Sequence, residues 1–253
     1  MKYLFCNGCS FVYGENAGYV LGIPRSDNPH KKFRFSKLLS DKLNLEEINL
    51  GKNGESNHYT VRTTYDWIES NKDKVKDTIF ILGTTEPIRL ENYLALKKNY
   101  QAVSMRWVSN GYDTFFNNPD EDWQSKELFK IFGSDDIEPG NGLKWWYDYI
   151  KYYFDEEAER ETCERKFKMI SSYIEKYGGK CIIFNSIYDN IENKEGLNFF
   201  NFPEDRNYWK GYNAYRVEKG DEFKTNCHHP SHLSHEWFAN ELHSYINEKF
   251  ICC

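Results

Sequence analysis

Residues 78–83 read Thr-Ile-Phe-Ile-Leu-Gly, an apolar run with no polar break between Thr78 and Gly83. A strand with one wet face alternates polar and apolar residues. A strand apolar at every position is covered on both faces, as happens where helices flank a parallel sheet. Shorter stretches at 2–6, 47–50 and 180–184 fit beside it as further strands. Between them lie helical spacings: Phe35, Leu38, Leu39 and Leu43 within 33–43, then Tyr59, Thr63 and Trp67 behind a cap at Ser56 or Asn57. Strand, helix, strand, helix, strand within the first ninety or so residues predicts α/β architecture with right-handed crossovers and a doubly wound parallel sheet.

Beyond residue 90 the pattern loosens. Residues 91–142, rich in Asn, Asp and Trp, read as an insertion of helices and loops within one domain spanning 1–253. Residues 144–154 and 156–177 have helical character, the second ending at Gly178-Gly179. Residues 190–224 are polar, aromatic and irregular, and 235–250 read as a closing amphipathic helix.

Composition narrows the function classes. A net charge of −6 argues against a general nucleic-acid binder, which needs a basic face. No apolar stretch approaches the roughly 20 residues that span a bilayer. The opening Met1-Lys2-Tyr3-Leu4-Phe5 runs too soon into Asn7-Gly8 to be a signal peptide. Seven cysteines, an odd number at irregular spacing, fit reduced thiols in a cytoplasmic protein. Cys252-Cys253 lacks the upstream basic run of a prenylated tail.

The chemistry-bearing residues fall at strand ends. Ser10 follows the first strand in Gly8-Cys9-Ser10-Phe11-Val12-Tyr13-Gly14, Gly54 follows the second, Thr84-Thr85-Glu86 follows the third, and His229-Pro230 precedes the last helix. Ligands of an open α/β sheet bind outside these carboxyl ends. A serine hydroxyl becomes a nucleophile when a base takes its proton, and histidine is the usual base near neutral pH. The oxyanion then needs waiting donors, for which the N–H groups of Ser10 and Gly54 are candidates. Read blandly, Ser10 and Gly54 are turn residues, Thr85 and Glu86 cap a helix after Pro87, Arg89 is a solvated or salt-bridged cation, and His232 and His235 sit at the surface or at a helix start. Trp145, Trp146, Tyr149, Tyr152 and Tyr153 read as helix packing.

These blocks resemble the SGNH (GDSL-like) hydrolases, in particular the divergent versions of phage genomes. Gly8-Cys9-Ser10-Phe11 is similar to the block that carries the nucleophile. Residues 49–57, Asn-Leu-Gly-Lys-Asn-Gly-Glu-Ser-Asn, are similar to the second block and put Gly54 in the place of an oxyanion donor. Leu82-Gly83-Thr84-Thr85-Glu86 is similar to the third, and His229-Pro230 with His235 and Ala239 to the last, with His229 as general base. The resemblance implies a flavodoxin-like three-layer fold and hydrolysis of a small ester or acyl group, on a glycan or a small metabolite, without cofactor or metal. A phage origin would place the protein in a host cytoplasm.

Three positions depart from that pattern. Cys9 stands where the family has Asp beside the nucleophile, and Thr85 stands where it has the oxyanion Asn, with Thr84 and Arg89 as further candidate donors. Asn226 stands three residues before His229, where an Asp orients the imidazole. Loss of that carboxylate costs ~10⁴ in rate in a triad enzyme. Asp221, Glu222 or a backbone carbonyl are the other candidates for orienting His229.

Two rival classes follow. Cys6-Asn7-Gly8-Cys9, with Cys227, His228, His229, His232 and His235, offers zinc-type ligands from both ends of the chain, although Cys6 falls in a buried strand and the second group lacks finger spacing. Alternatively, Thr85 and Asn226 mark a degraded site that binds a ligand or partner without turnover, in a phage accessory or anti-defence role.

Overall fold

A computed structural model describes residues 1–18, 21–22, 28–94, 98–105, 148–187, 191, 194–202 and 229–251. The chain divides into two compact units, Met1–Glu86 with Cys163–Cys253, and Pro87–Thr162.

The first unit is built on a parallel sheet of β1 (Tyr3–Asn7), β2 (Glu46–Asn49), β3 (Thr78–Thr84) and a later strand, Lys180–Asn185, in the order β2, β1, β3, Lys180–Asn185. Phe5 lies opposite Ile48 on one side and Phe80 on the other, and Cys6 opposite Asn49 and Ile81. That register sends alternate residues to opposite faces, and both faces are apolar. Leu4, Cys6, Ile79, Ile81, Ile182 and Phe184 pack under the helices that carry Phe35, Leu39, Phe238 and Leu242. Phe5, Phe80, Leu82, Cys181 and Ile183 pack on the other side against Ile68, Phe167, Ile170 and Ile174. The result is a three-layer, doubly wound α/β unit, as the uninterrupted run at 78–83 predicts. Each Phe, Leu or Ile so removed from water contributes about 1.5–3 kcal/mol.

The helices of this unit are α1 (Ser10–Tyr13), α2 (Phe35–Leu43), α3 (Asn57–Ser70), α4 (Lys72–Val75), α5 (Glu156–Lys176, in this unit from Cys163 on) and α6 (His232–Ile246). Ser56 caps α3, its hydroxyl accepting from the Tyr59 N–H at 3.1 Å. Asn44 ends α2 in the left-handed region at φ 53°, and Gly178 turns the chain after α5 at φ 81°. Three local expectations are corrected. The turn leaving β1 contains a helical turn, α1, where only a loop is expected. The closing helix begins at His232 rather than 235, because Ser231 caps it by accepting from the Leu233 N–H. No helix follows Pro87: among the described residues, Arg89 opens β4 of the second unit.

In that unit β4 (Arg89–Leu94) and β5 (Asn99–Ser104) form an antiparallel hairpin with Arg89 opposite Ser104, and we number the strand Lys180–Asn185 as β6. Among its described side chains Leu90, Ala102, Val103 and Ser104 are buried. Strands thus occupy part of the segment expected to hold helices and loops, and residues 106–147 lie outside the described residues. Tyr152 and Tyr153 are 65 % and 78 % exposed, which does not fit a packing role.

Candidate active site

β2 lies on one side of β1 and β3 on the other, so the carboxyl ends of β1 and β3 border the point where the winding reverses. Ser10 leaves β1 there and Thr84 ends β3.

The exit from β1 is built from polar anchors. Asn7, wholly buried, donates from Nδ2 to the Thr60 carbonyl and to the hydroxyls of Thr63 and Thr64 at 2.8–3.0 Å, while its Oδ1 accepts the Gly8 N–H at 2.9 Å. One amide thereby fixes the strand end to α3. Gly8 then turns at φ 155°, where a Cβ would stand 2.6 Å from Val12 Cγ2 and 2.9 Å from the Gly83 carbonyl. Cys9, extended, precedes the helical turn that Ser10 opens, and Gly14 closes it in the left-handed region. As the first helical residue, Ser10 has an N–H of the kind a helix leaves without an internal acceptor. Its side chain is held at the edge, the residue being 6 % exposed.

The far end of α1 is held from β2 and α2. Asn49 Nδ2 donates to the Val12 carbonyl at 2.9 Å and to Ser36 Oγ at 2.7 Å. Arg34 forms a two-pronged pair with Glu47, both bonds 2.8 Å, and Ser36 Oγ donates to the same carboxylate. Gly51 rather than Gly54 makes the close approach, since a Cβ there would lie 2.7 Å from the Tyr13 nitrogen. Gly54 is exposed at φ 73°, with nothing within 4 Å of where a Cβ would stand.

His229 comes to this edge from the other end of the sequence. Its ring centroid lies 5.4 Å from that of Phe11, and its Nε2 lies 3.3 Å from Glu15 Oε2. Its Nδ1 is buried and has no hydrogen-bond partner among the described residues. The helix that follows is packed on α2: the Phe35 N–H donates to His235 Nδ1 at 3.2 Å. His235, expected at the surface or at a helix start, lies in the first turn of α6 and is wholly buried. Burial first, then the neighbouring His229, Arg34 and His232, push its imidazole down to about 3.

At the end of β3, Thr84 Oγ1 donates to Asn185 Oδ1 at 2.9 Å inside the core. Thr85 is held by Asn57, whose Oδ1 accepts the Thr85 N–H at 2.7 Å and whose Nδ2 donates to the Thr85 carbonyl at 2.8 Å. The Thr85 hydroxyl is buried without a partner among the described residues. Arg89 belongs to the second unit, and Asn226, Asp221 and Glu222 lie outside the described residues, as do Cys227 and His228.

Cys6 and Cys9 are wholly buried in the apolar cluster under α2 and α6. Burial, and then the Glu47 charge, push the Cys6 thiol well up, away from the thiolate that metals and electrophiles require. Within the first unit no three described His, Cys, Asp or Glu side chains bring ligating atoms within 4.8 Å of one another.

Sequence reasoning named Ser10 and His229, and the ring of Phe11, the residue after Ser10, lies against the His229 imidazole; it did not single out Glu15, Asn7, Asn49, Gly51 or Asn57 as site residues. The available signal for Asn49 and Asn57 was their place within residues 49–57, where Asn49 reads as a strand residue and Asn57 as a cap.

No protein-family profile matches the chain, and no curated protein does. Solved structures resemble it at low identity. Esterase EstA from Pseudoalteromonas sp., inhibited by monoethylphosphonate, is 10 % identical over 98 % of each chain, with a TM-score of 0.48. TesA is 7 % identical over 98 % of this chain and 99 % of its own, at 0.46. The acetyl xylan esterase Est2A from the rumen bacterium Butyrivibrio proteoclasticus is 11 % identical over 98 % of this chain and 64 % of its own, at 0.49.

Proposed function

We propose that this chain is a serine hydrolase that cleaves a small ester or acyl group, with Ser10 as nucleophile and His229 as base. The observation that carries the reading is the contact of Phe11, the residue after Ser10, with the His229 imidazole at 5.4 Å. A helical turn opened by serine and an imidazole from the distant end of the sequence thus share the carboxyl edge of β1.

In the proposed reaction, the Ser10 hydroxyl proton passes to His229 as Oγ adds to the carbonyl carbon. The oxyanion is met by backbone N–H groups, those of Ser10 and Gly54, with the Thr85 hydroxyl as a further donor. Each such donor is worth roughly 3–4 kcal/mol where it is aimed at the developing charge. Return of the proton from His229 releases the alcohol, and water repeats the sequence on the acyl-serine. The acyl group of a glycan or a small metabolite is the substrate class we assign.

The buried Thr85 side chain favours a second reading, in which the fold binds its ligand without turnover. Labelling with a fluorophosphonate probe, together with hydrolysis of p-nitrophenyl acetate and butyrate, separates the two. An activated Ser10 gives labelling and turnover that Ser10→Ala and His229→Ala both abolish. A wild type that neither labels nor turns over any acyl substrate belongs to the binding reading.

A further inference from the structure

We propose that Glu15 is the carboxylate that holds and orients His229, in the role where Asn226 offers only an uncharged amide; this rests on the Ser10–His229 reading above. The two side chains approach at 3.3 Å between His229 Nε2 and Glu15 Oε2, and both are largely sheltered, at 16 % and 28 % side-chain exposure. A carboxylate only accepts, so the nitrogen facing it carries the proton. The other nitrogen, Nδ1, then holds the basic lone pair of the neutral ring. That atom is buried and has no hydrogen-bond partner among the described residues.

The backbone explains why Glu15 is in reach. The Gly14 and Glu15 N–H groups both bond the Ser10 carbonyl, at 3.0 and 3.1 Å, and Gly14 takes φ 81° to close α1. Glu15 is therefore fixed to the same turn that Ser10 opens. Nucleophile and carboxylate sit at the two ends of one short helix, with the Phe11 ring against the imidazole. Glu47, a neighbouring carboxylate on β2, is already committed to Arg34 and Ser36.

The proton balance follows. Ser10 Oγ–H gives its proton to His229 Nδ1 while the Oγ electron pair forms the bond to the acyl carbon. The ring becomes imidazolium, with its Nε2–H still on Glu15, whose negative charge offsets the new positive one. When the tetrahedral species collapses, the C–O bond to the leaving group breaks and the Nδ1 proton passes to the departing oxygen. Glu15 gains and loses no proton. It is a positioning residue that sets the tautomer and stabilises the charged ring.

Two measurements test this on the full chain. Imidazole ¹⁵N shifts report the tautomer of His229 directly and require no activity. We expect a single Nε2–H form in the wild type and a mixture in Glu15→Gln. In p-nitrophenyl acetate hydrolysis, Glu15→Gln is expected to lower kcat roughly 10²–10³-fold with little change in KM, less than the ~10⁴ of a wholly buried triad carboxylate because Glu15 is partly exposed. Glu15→Asp should recover part of the loss, and Glu15→Gln should cost more than Asn226→Ala. An unchanged tautomer in Glu15→Gln, or a kcat that stays at the wild-type value, overturns the assignment. A wild type that never labels at Ser10 overturns the hydrolase reading instead, and the tautomer alone then decides whether Glu15 holds the ring.

Discussion

Asn57 closes both ends of its side-chain amide on the backbone of one residue: it accepts the Thr85 N–H at 2.7 Å and donates to the Thr85 carbonyl at 2.8 Å, all within the buried interior. A side chain can satisfy both backbone groups of a residue this way only if it carries a donor and an acceptor a fixed distance apart. Asn57→Ala leaves two buried backbone groups unpaired and should cost about 2–4 kcal/mol in urea denaturation. Asn57→Asp keeps the acceptor for the Thr85 N–H but loses the donor, and should also destabilise. If both variants unfold at the wild-type midpoint, the bracket contributes nothing to holding the end of β3.

The Arg34–Glu47 pair predicts a different pattern. Its side chains are 9 % and 12 % exposed, so removing one partner strands a sheltered charge. Glu47→Ala should lose about 3–5 kcal/mol. The double replacement Arg34→Met with Glu47→Leu should lose less than Glu47→Ala alone, because no uncompensated charge remains. Additive losses from Arg34→Met and Glu47→Leu in a double-mutant cycle would mean the two residues act independently.

Two glycines separate backbone from space. At Gly8 a Cβ meets the Gly83 carbonyl at 2.9 Å and Val12 Cγ2 at 2.6 Å, on top of φ 155°. At Gly54 it meets nothing within 4 Å, and only φ 73° is unfavourable. Gly54→Ala should therefore cost about 1 kcal/mol. Gly8→Ala adds a collision to the same kind of strain and should cost a few kcal/mol, roughly 2–4. Thermal denaturation of the two variants side by side gives the comparison. Equal losses would show that the contact at Gly8 relaxes freely.

His235 makes the fold acid-sensitive. Its folded value is pushed down from 6.5 to about 3, so between those pH values the unfolded chain binds a proton that the folded chain refuses. Stability from this group is fully present above about pH 6.5 and falls as the pH drops toward 3, by up to about 1.4 kcal/mol per pH unit. His235→Gln removes that titration while keeping an acceptor for the Phe35 N–H. The difference in unfolding free energy between wild type and variant, measured from pH 7 to pH 4, should shift in the variant's favour as acid is added. A pH-independent difference would mean that position 235 takes no part in acid unfolding.

The layers of the first unit were open to reading because their signal is local. A strand with an unbroken apolar run, such as residues 79–82 of β3, and the helical spacing of Phe35 and Leu39 declare their burial in a few neighbours. The hairpin β4–β5 was hidden because its buried Leu90, Ala102 and Val103 are interrupted by Asn, Lys and Tyr, which break the alternation expected of a strand. His235 lies between Ser234 and Glu236, and nothing local reveals that its ring accepts from Phe35 and stacks on the Phe35 ring at 6.0 Å. Ser10 and His229 could be singled out as candidates because strand-end serine and pre-helix histidine are chemically sparse signals. Glu15 was not, since a carboxylate after a turn is ordinary until the imidazole that faces it is known.

The Phe35–His235 bond spans 200 residues of sequence, and with it α6 docks against α2. Ribosomal synthesis delivers Ser10 and its helical turn early and His229 late. For most of the chain's growth, the serine edge exists without its imidazole. Closing so long a loop is slow relative to forming β1, α1 and α2. A product broken off anywhere before residue 229 therefore keeps Ser10 and its helical turn but lacks His229 and the helix that docks on α2.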